Sequence, residues 1–154
     1  MAAAAAYPFT TFNFSVEINR GQDGGALVAA AFSDCDGLDM SMEVKTIREG
    51  GSNNRQIRLN GPATYANLVL KRGMTANFDL WKWFSDSIVD PGLRADAEVV
   101  MLGEDGQAER ARFRLARCVP IKMKAPALSA KDGAVAVEEL HIAYESLVLI
   151  PGKG

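Results

Sequence analysis

Between residues 66 and 88 the chain changes its hydrophobic period, and that change constrains the fold more than any other feature. Leu68 and Leu70 alternate with Val69 and Lys71, the two-residue rhythm of a strand with at least one apolar face. Gly73 interrupts the run. Thr75 or Asn77 can cap the next segment, with Asp79 in the first turn, where the helix dipole favours an acid. Phe78, Trp81, Phe84 and Ile88 then recur at a spacing near 3.6 residues, while Asp79, Lys82 and Asp86 point elsewhere. The pattern predicts an amphipathic helix with Phe78, Trp81 and Phe84 as its core anchors. Asp90-Pro91-Gly92 ends it, because proline and glycine together cannot continue the hydrogen-bond ladder. No other stretch carries a convincing helical period, so sheets must receive the apolar face.

Strand patterns fill the rest. Phe12, Phe14, Val16 and Ile18 share one face of a half-wet strand. Residues 21–25 read as a turn, and 26–32 as a small-residue strand returning from it in a hairpin. After the break at Asp36-Gly37, Leu38, Met40 and Met42 alternate with polar neighbours. Residues 43–59 differ in character: Val44, Ile47, Ile57 and Leu59 flank the tract Arg48-Glu49-Gly50-Gly51-Ser52-Asn53-Asn54-Arg55-Gln56. A tract so polar and glycine-rich cannot bury itself. It is a mobile hairpin tip, or a protruding arm whose strand ends offer main-chain hydrogen bonds to a neighbour.

Beyond the helix, residues 95–102 and 109–115 form a strand pair joined by the turn Gly103-Glu104-Asp105-Gly106. Ala111, Phe113 and Leu115 lie on one side of the second strand and Arg110, Arg112 and Arg114 on the other, as on a solvated face. Pro120 and Pro126 bracket residues 121–124, which places that piece at a sheet edge or in a crossing connection. In the last strand Val135 and Val137 share one parity and Leu140, Ile142 and Tyr144 the other. A flip at Glu138-Glu139 predicts a β-bulge there, or a strand passing between sheets. Hairpin logic makes the order antiparallel, without strand–helix–strand alternation. The expected fold is mostly β, an antiparallel sandwich or distorted barrel with one amphipathic helix covering an open side.

A length of 154 residues fits one domain, expected over residues 9–150, with a flexible N-terminal arm over 1–8 and a tail over 151–154. The formal charge of -2 argues against a general nucleic-acid or membrane-surface binder. No apolar run approaches the ~20 residues that span a bilayer. The alanine-rich start lacks a basic n-region, so the chain is expected to be made in the cytosol and not to use the general secretory route. Cys35 and Cys118 lack metal-ligand spacing and read as reduced, partly buried thiols; His141 reads as a sheet residue. Phosphate loops, nucleophile elbows and zinc motifs are missing, and the acid pairs Glu104-Asp105 and Glu138-Glu139 are not placed as dyads. Neither catalytic residues, a cofactor nor a metal is expected.

The order of several elements resembles the inner-tube (tail tube) proteins of contractile phage tails and extracellular contractile injection systems. The matching elements begin with Tyr7-Pro8 leading into residues 12–18, then Phe32-Ser33-Asp34-Cys35-Asp36-Gly37-Leu38 and Arg48-Glu49-Gly50-Gly51 with Asn53. They continue with Leu59-x-Gly61, Leu70-Lys71-Arg72-Gly73, Trp81-x-Trp83 and the closing Glu138-Glu139-Leu140. Asn60 and the glycine-heavy 21–25 turn depart from the pattern. The resemblance implies the tail-tube fold and a structural subunit that forms hexameric rings, stacked helically into a hollow tube inside a sheath. Partners would be further copies, the sheath protein, baseplate hub and tube-cap proteins, and a cargo effector or phage DNA in the lumen, without membrane insertion. Arg48, Glu49, Gly50, Gly51, Asn53, Asn54 and Arg55 would then meet the next ring, and Lys82 and Asp86 would face the sheath or a neighbour. The polar face of either the Glu17 strand or the Arg112 strand would line the channel. Two other readings fit less of the chain: a ring-former that stops at single rings, such as a secretion-system tube, tube-cap or baseplate hub component, and a monomeric small-ligand barrel.

Overall fold

The computed structural model describes residues 13–20, 26–30, 32–48, 50–51, 56–131 and 133–152. Tyr7, Pro8, Phe12, the 21–25 turn, the expected arm over 1–8 and most of the 48–56 tract lie outside them.

Among the described residues, ten strands and one helix succeed one another along the chain. They are β1 (Phe14–Asn19), β2 (Ala26–Ala30), β3 (Asp34–Asp36), β4 (Met40–Arg48), β5 (Gln56–Tyr65), β6 (Leu68–Gly73), α1 (Asp79–Val89), β7 (Ala95–Leu102), β8 (Glu109–Lys124), β9 (Val137–Ala143) and β10 (Ser146–Pro151). Every pairing is antiparallel. The path β2-β1-β7-β8-β9-β6-β3 is continuous, with β10 on the other side of β8, while among the described residues β4 and β5 pair only with each other.

The 16-residue β8 joins two sheets. Its first half lies between β7 and β10, with Leu115 opposite both Ala97 and Leu147. Its second half pairs with β9, from Val119↔Ala143 to Lys124↔Glu139. Between the halves Arg117 adopts a left-handed φ of 55°, and the register slips between Pro120 and Lys122. The crossing therefore belongs to β8, as the two prolines implied, and the expected irregularity at Glu138-Glu139 is corrected. β9 runs in unbroken register against β6, and Glu138, Leu140, Ile142 and the following Tyr144 are all buried. Val135 and Val137 are the exposed ones, at 79% and 44%. The apparent flip arose because a glutamate occupies a core position.

The two sheets face each other across Val16, Ile18, Ala97, Val99 and Leu115 on one side and Leu68, Leu70, Leu140 and Ile142 on the other. The helix closes one open side of this sandwich. Its expected core face requires correction: Leu80 and Trp83 are buried at 1% and 0%, whereas Phe78 and Ile88 are 56% and 70% exposed. Phe84 packs partly against the core, and Trp81 is half-buried. Both aromatic-rich stripes satisfy a helical period. Leu80 and Trp83, one turn apart, fill the sandwich, and Trp81 sits where its indole N–H reaches an acceptor. At the N-terminus Asn77 Oδ1 accepts from the Asp79 N–H at 3.0 Å and Thr75 Oγ1 from the Asn77 N–H at 3.2 Å.

Candidate assembly surfaces

The β4–β5 ribbon is exposed along nearly its whole length: all of its residues except Gly61 and Tyr65 are exposed. Its root is held firmly. The Ala66 N–H donates to the Asp39 carbonyl at 3.0 Å, the Tyr144 hydroxyl donates to the Gly37 carbonyl at 3.0 Å, and the rings of Tyr65 and Tyr144 lie 5.6 Å apart. Beyond the root the ribbon carries Met40, Met42, Val44, Ile47, Ile57 and Leu59, each between 40% and 63% exposed. Of the residues expected at a ring joint, Arg48, Gly50 and Gly51 are exposed at the tip; Glu49, Asn53, Asn54 and Arg55 lie outside the described residues. Sequence reasoning expected a ring joint at the polar tip and named Val44, Ile47, Ile57 and Leu59 as its apolar neighbours, but did not foresee that these side chains are exposed. Their alternation with polar neighbours was visible, but it reads equally as a strand with a buried face.

A second surface is the outer face of the sheet β2-β1-β7-β8-β10. The Glu17 and Arg112 strands lie in one sheet with β7 between them, and their polar side chains share a face. Glu17 stands opposite Glu98, and Glu98 opposite Arg114. Glu98 takes ion pairs from both Arg112 and Arg114, the latter at 3.1 Å, and Arg112 also pairs with Glu109. Hydrogen bonds to Glu109 above all, and to Glu98, hold the Arg112 pKa above its ordinary value. The result is a wet face whose charges are interlocked. The sheet ends at β10, whose outer edge is unpaired among the described residues and whose Val148 and Leu149 are 54% and 55% exposed.

The helix is tied down by a buried polar link that sequence reasoning also missed. Arg72 and Glu138 are 4% and 1% exposed and form an ion pair. Arg72 also donates to the Asn77 carbonyl at 3.0 Å just before the helix, and lies 5.7 Å over the Phe32 ring. The second Glu138 oxygen accepts the Trp81 indole N–H at 2.7 Å. The signal was present in parity: Arg72 falls in step with Leu68 and Leu70, and Glu138 with Leu140 and Ile142. On the outer side of the helix Lys82 is exposed, whereas Asp86 pairs with Arg20 at 3.0 Å, tying the helix to the end of β1.

Cys118 is fully buried and Cys35 half-buried; both are free thiols. His141 stands in β9 with Nε2 3.5 Å from Glu139. Among the described residues no group of histidines, cysteines and acids could hold a metal ion, and no helix is long and apolar enough to cross a membrane.

The sequence pattern of the T4-like virus tail tube protein gp19 family matches residues 10–148. Among solved structures, a chain of the anti-feeding prophage (AFP) baseplate, 6-fold symmetrised, shares the fold with a TM-score of 0.84 and 22% identity, over 97% of this chain and 100% of that one. A chain of the extended sheath-tube complex of the extracellular contractile injection system PVC gives 0.80 and 20%, over 94% and 93%. Hcp1 from Flavobacterium johnsoniae is more distant, at 0.54 and 14%, over 92% and 97%. No curated protein sequence matches significantly.

Proposed function

The chain belongs to the T4-like virus tail tube protein gp19 family, and we propose that it is the structural subunit of the inner tube of a contractile injection machine. It forms hexameric rings that stack helically into a hollow tube, through which a cargo effector or phage DNA passes. It is made and assembled in the bacterial cytoplasm, within a sheath and between a baseplate hub and a tube cap. It has no catalytic role.

The observation that carries this reading is the pairing of a wet, ion-paired sheet face with an open sheet edge. An apolar edge strand such as β10, whose outer edge is unpaired among the described residues, is a liability in a single chain. Joined to the β2 edge of a neighbour, it extends the sheet around a ring. The face carrying Glu17, Glu98, Arg112 and Arg114 then lines the channel, because the opposite face is packed into the core. The β4–β5 arm reaches the next ring. Ring-to-ring contact is heterologous and does not close on itself, so a filament results.

Size-exclusion chromatography with negative-stain microscopy tests the reading. Tubes and rings with six-fold symmetry are the expected result. Single rings that never stack would mark a cap or hub component, and a stable 16.6 kDa monomer at high concentration would overturn the proposal. Deleting residues 50–54 is expected to leave folded subunits that no longer elongate.

A further inference from the structure

Where the first residues of β1, the last of β7 and strand β3 come together, the sandwich holds a recess of about 380 Å³ that is open at the surface. Its walls are mostly apolar: Phe14, Leu38, Val99, Met101 and Phe113, with the Cys35 thiol among them. Phe14, Cys35, Leu38 and Phe113 pack against the core yet stay only half-buried. Leaving such walls wet forgoes the burial that stabilises the rest of the core. The chain enters at the mouth of this recess. Asn13, part of the lining, is held by the Leu102 N–H, which donates to its carbonyl at 2.9 Å, and by its own amide, which donates to the Gly103 carbonyl at 3.0 Å. Phe14 stands opposite Met101, near the end of β7. The next residue on the Met101 face, Gly103, has no side chain.

We infer that this recess is the seat of the segment leading into β1, with Phe12 as its plug and Phe9 over its mouth, both from the same chain. The assignment does not depend on the tube reading. Alternation along β1 puts position 12 on the side of Phe14, Val16 and Ile18, and Phe14 is a wall of the recess. The segment before Asn13 reads Tyr7-Pro8-Phe9-Thr10-Thr11-Phe12, and its closely spaced aromatic rings favour a place out of water. Three residues of chain reach about 10 Å, so Phe9 can cross the mouth without leaving its own subunit. Because the plug is joined to Asn13, it arrives at a high effective concentration and outcompetes a free molecule of the same chemistry. An aromatic ring burying roughly 150–250 Å² would cover the Phe14, Leu38 and Phe113 walls and shut the Cys35 thiol away from solvent.

Cys35 reports on the plug, and the fully buried Cys118 is the internal control. Iodoacetamide labelling of the dilute, unassembled full-length protein at pH 8 is followed residue by residue by mass spectrometry. Phe12→Ser is expected to speed labelling of Cys35 about tenfold and Phe9→Ser by less, with Cys118 unchanged, and Phe12→Leu to restore protection. A photo-crosslinker at position 9 should trap recess-lining residues of its own chain. If Phe12→Ser leaves the Cys35 rate where it is in the unmodified protein, or if the crosslinks run to another copy, the plug is wrong. A small apolar molecule retained by the purified unmodified protein, seen in its native mass, would overturn it too. Should Phe12→Ser fail to fold, which faster labelling of Cys118 would reveal, the crosslink decides alone.

Discussion

Arg72 on β6 and Glu138 on β9 stand directly opposite each other in register, and their side chains meet as an ion pair with 5% and 1% exposure. Both lie on the core face of their strands, where a lone charge costs several kcal/mol and a well-bonded pair roughly breaks even. The extra bonds, from Arg72 to the Asn77 carbonyl and from Trp81 to Glu138, couple the pair to the helix. Arg72→Met is expected to cost about 3–5 kcal/mol by stranding Glu138, and Arg72→Met/Glu138→Leu to recover much of that loss. Urea unfolding of the three proteins decides it. A single-mutant loss below ~1 kcal/mol would mean that the carboxylate finds water.

The helix makes a second contrast. Trp83→Ala is expected to cost about 3–5 kcal/mol through the cavity it leaves, whereas Phe78→Ala, at a site 56% exposed, should change the single chain by less than ~1 kcal/mol. Equal losses in thermal unfolding would reverse the helix orientation.

Much of the fold was legible before any coordinates, and the misses share a cause. The alternation of Val16 with Ile18, the Gly103-Glu104-Asp105-Gly106 turn and the proline-marked crossing of β8 are local signals, and each element formed where local chemistry placed it. Whether Trp81 or Trp83 turned inward depended on the shape of the gap between two sheets, which no helical period encodes. Glu138 looked like a break in pattern because its partner, Arg72, is 66 residues away in sequence. The polar tip of the arm advertised a surface. The arm's apolar residues divide between two faces, Met40, Met42 and Val44 on one and Ile47, Ile57 and Leu59 on the other, through a cross-strand register and a slip between Met42 and Val44 that periodicity does not reveal.

Gly37 holds the arm root through its backbone. Its φ is +97°, and a Cβ there would stand 2.0 Å from the Asn67 carbonyl oxygen, a clash only backbone movement can relieve. Gly37→Ala is expected to cost more than the ~1 kcal/mol of a left-handed residue in open space, and to loosen the Tyr144 bond to its carbonyl. Hydrogen exchange should then speed up at Asn67 and along the ribbon. Unchanged exchange would show that the root is pinned elsewhere.

The thiols give a pH dependence with a definite sign. Burial above all, with help from Asp36 at Cys35 and Asp96 at Cys118, pushes both from 9.0 up to about 12. The folded state therefore favours neutral thiols. Their contribution is full below the unfolded value and is lost as pH rises from near 9.0 toward about 12. Alkylation at pH 8 should be slow in the native protein and fast in urea, with Cys118 the slower. Conversely, rapid native labelling of Cys118 would contradict its burial.

The charged sheet face supplies the last test. Glu17 and Glu98 occupy directly opposed positions on neighbouring strands, an arrangement that is destabilising by itself. Arg112 and Arg114 both bond Glu98, and Arg112 also holds Glu109, so one arginine bridges two acids while a second helps neutralise the one opposite Glu17. Arg112→Gln keeps most of the side-chain length but removes the charge, leaving Glu98 with Arg114 alone opposite Glu17 and breaking the bridge to Glu109. The expected loss is about 1–2 kcal/mol at neutral pH and low salt. It should shrink in ~0.5 M salt, because repulsion among partly exposed acids is screened over a few ångströms. Packing would leave the loss independent of salt, so paired denaturation curves at two ionic strengths separate an electrostatic role from a steric one. A salt-independent deficit would show that Arg112 serves this face through its stem rather than through its charge.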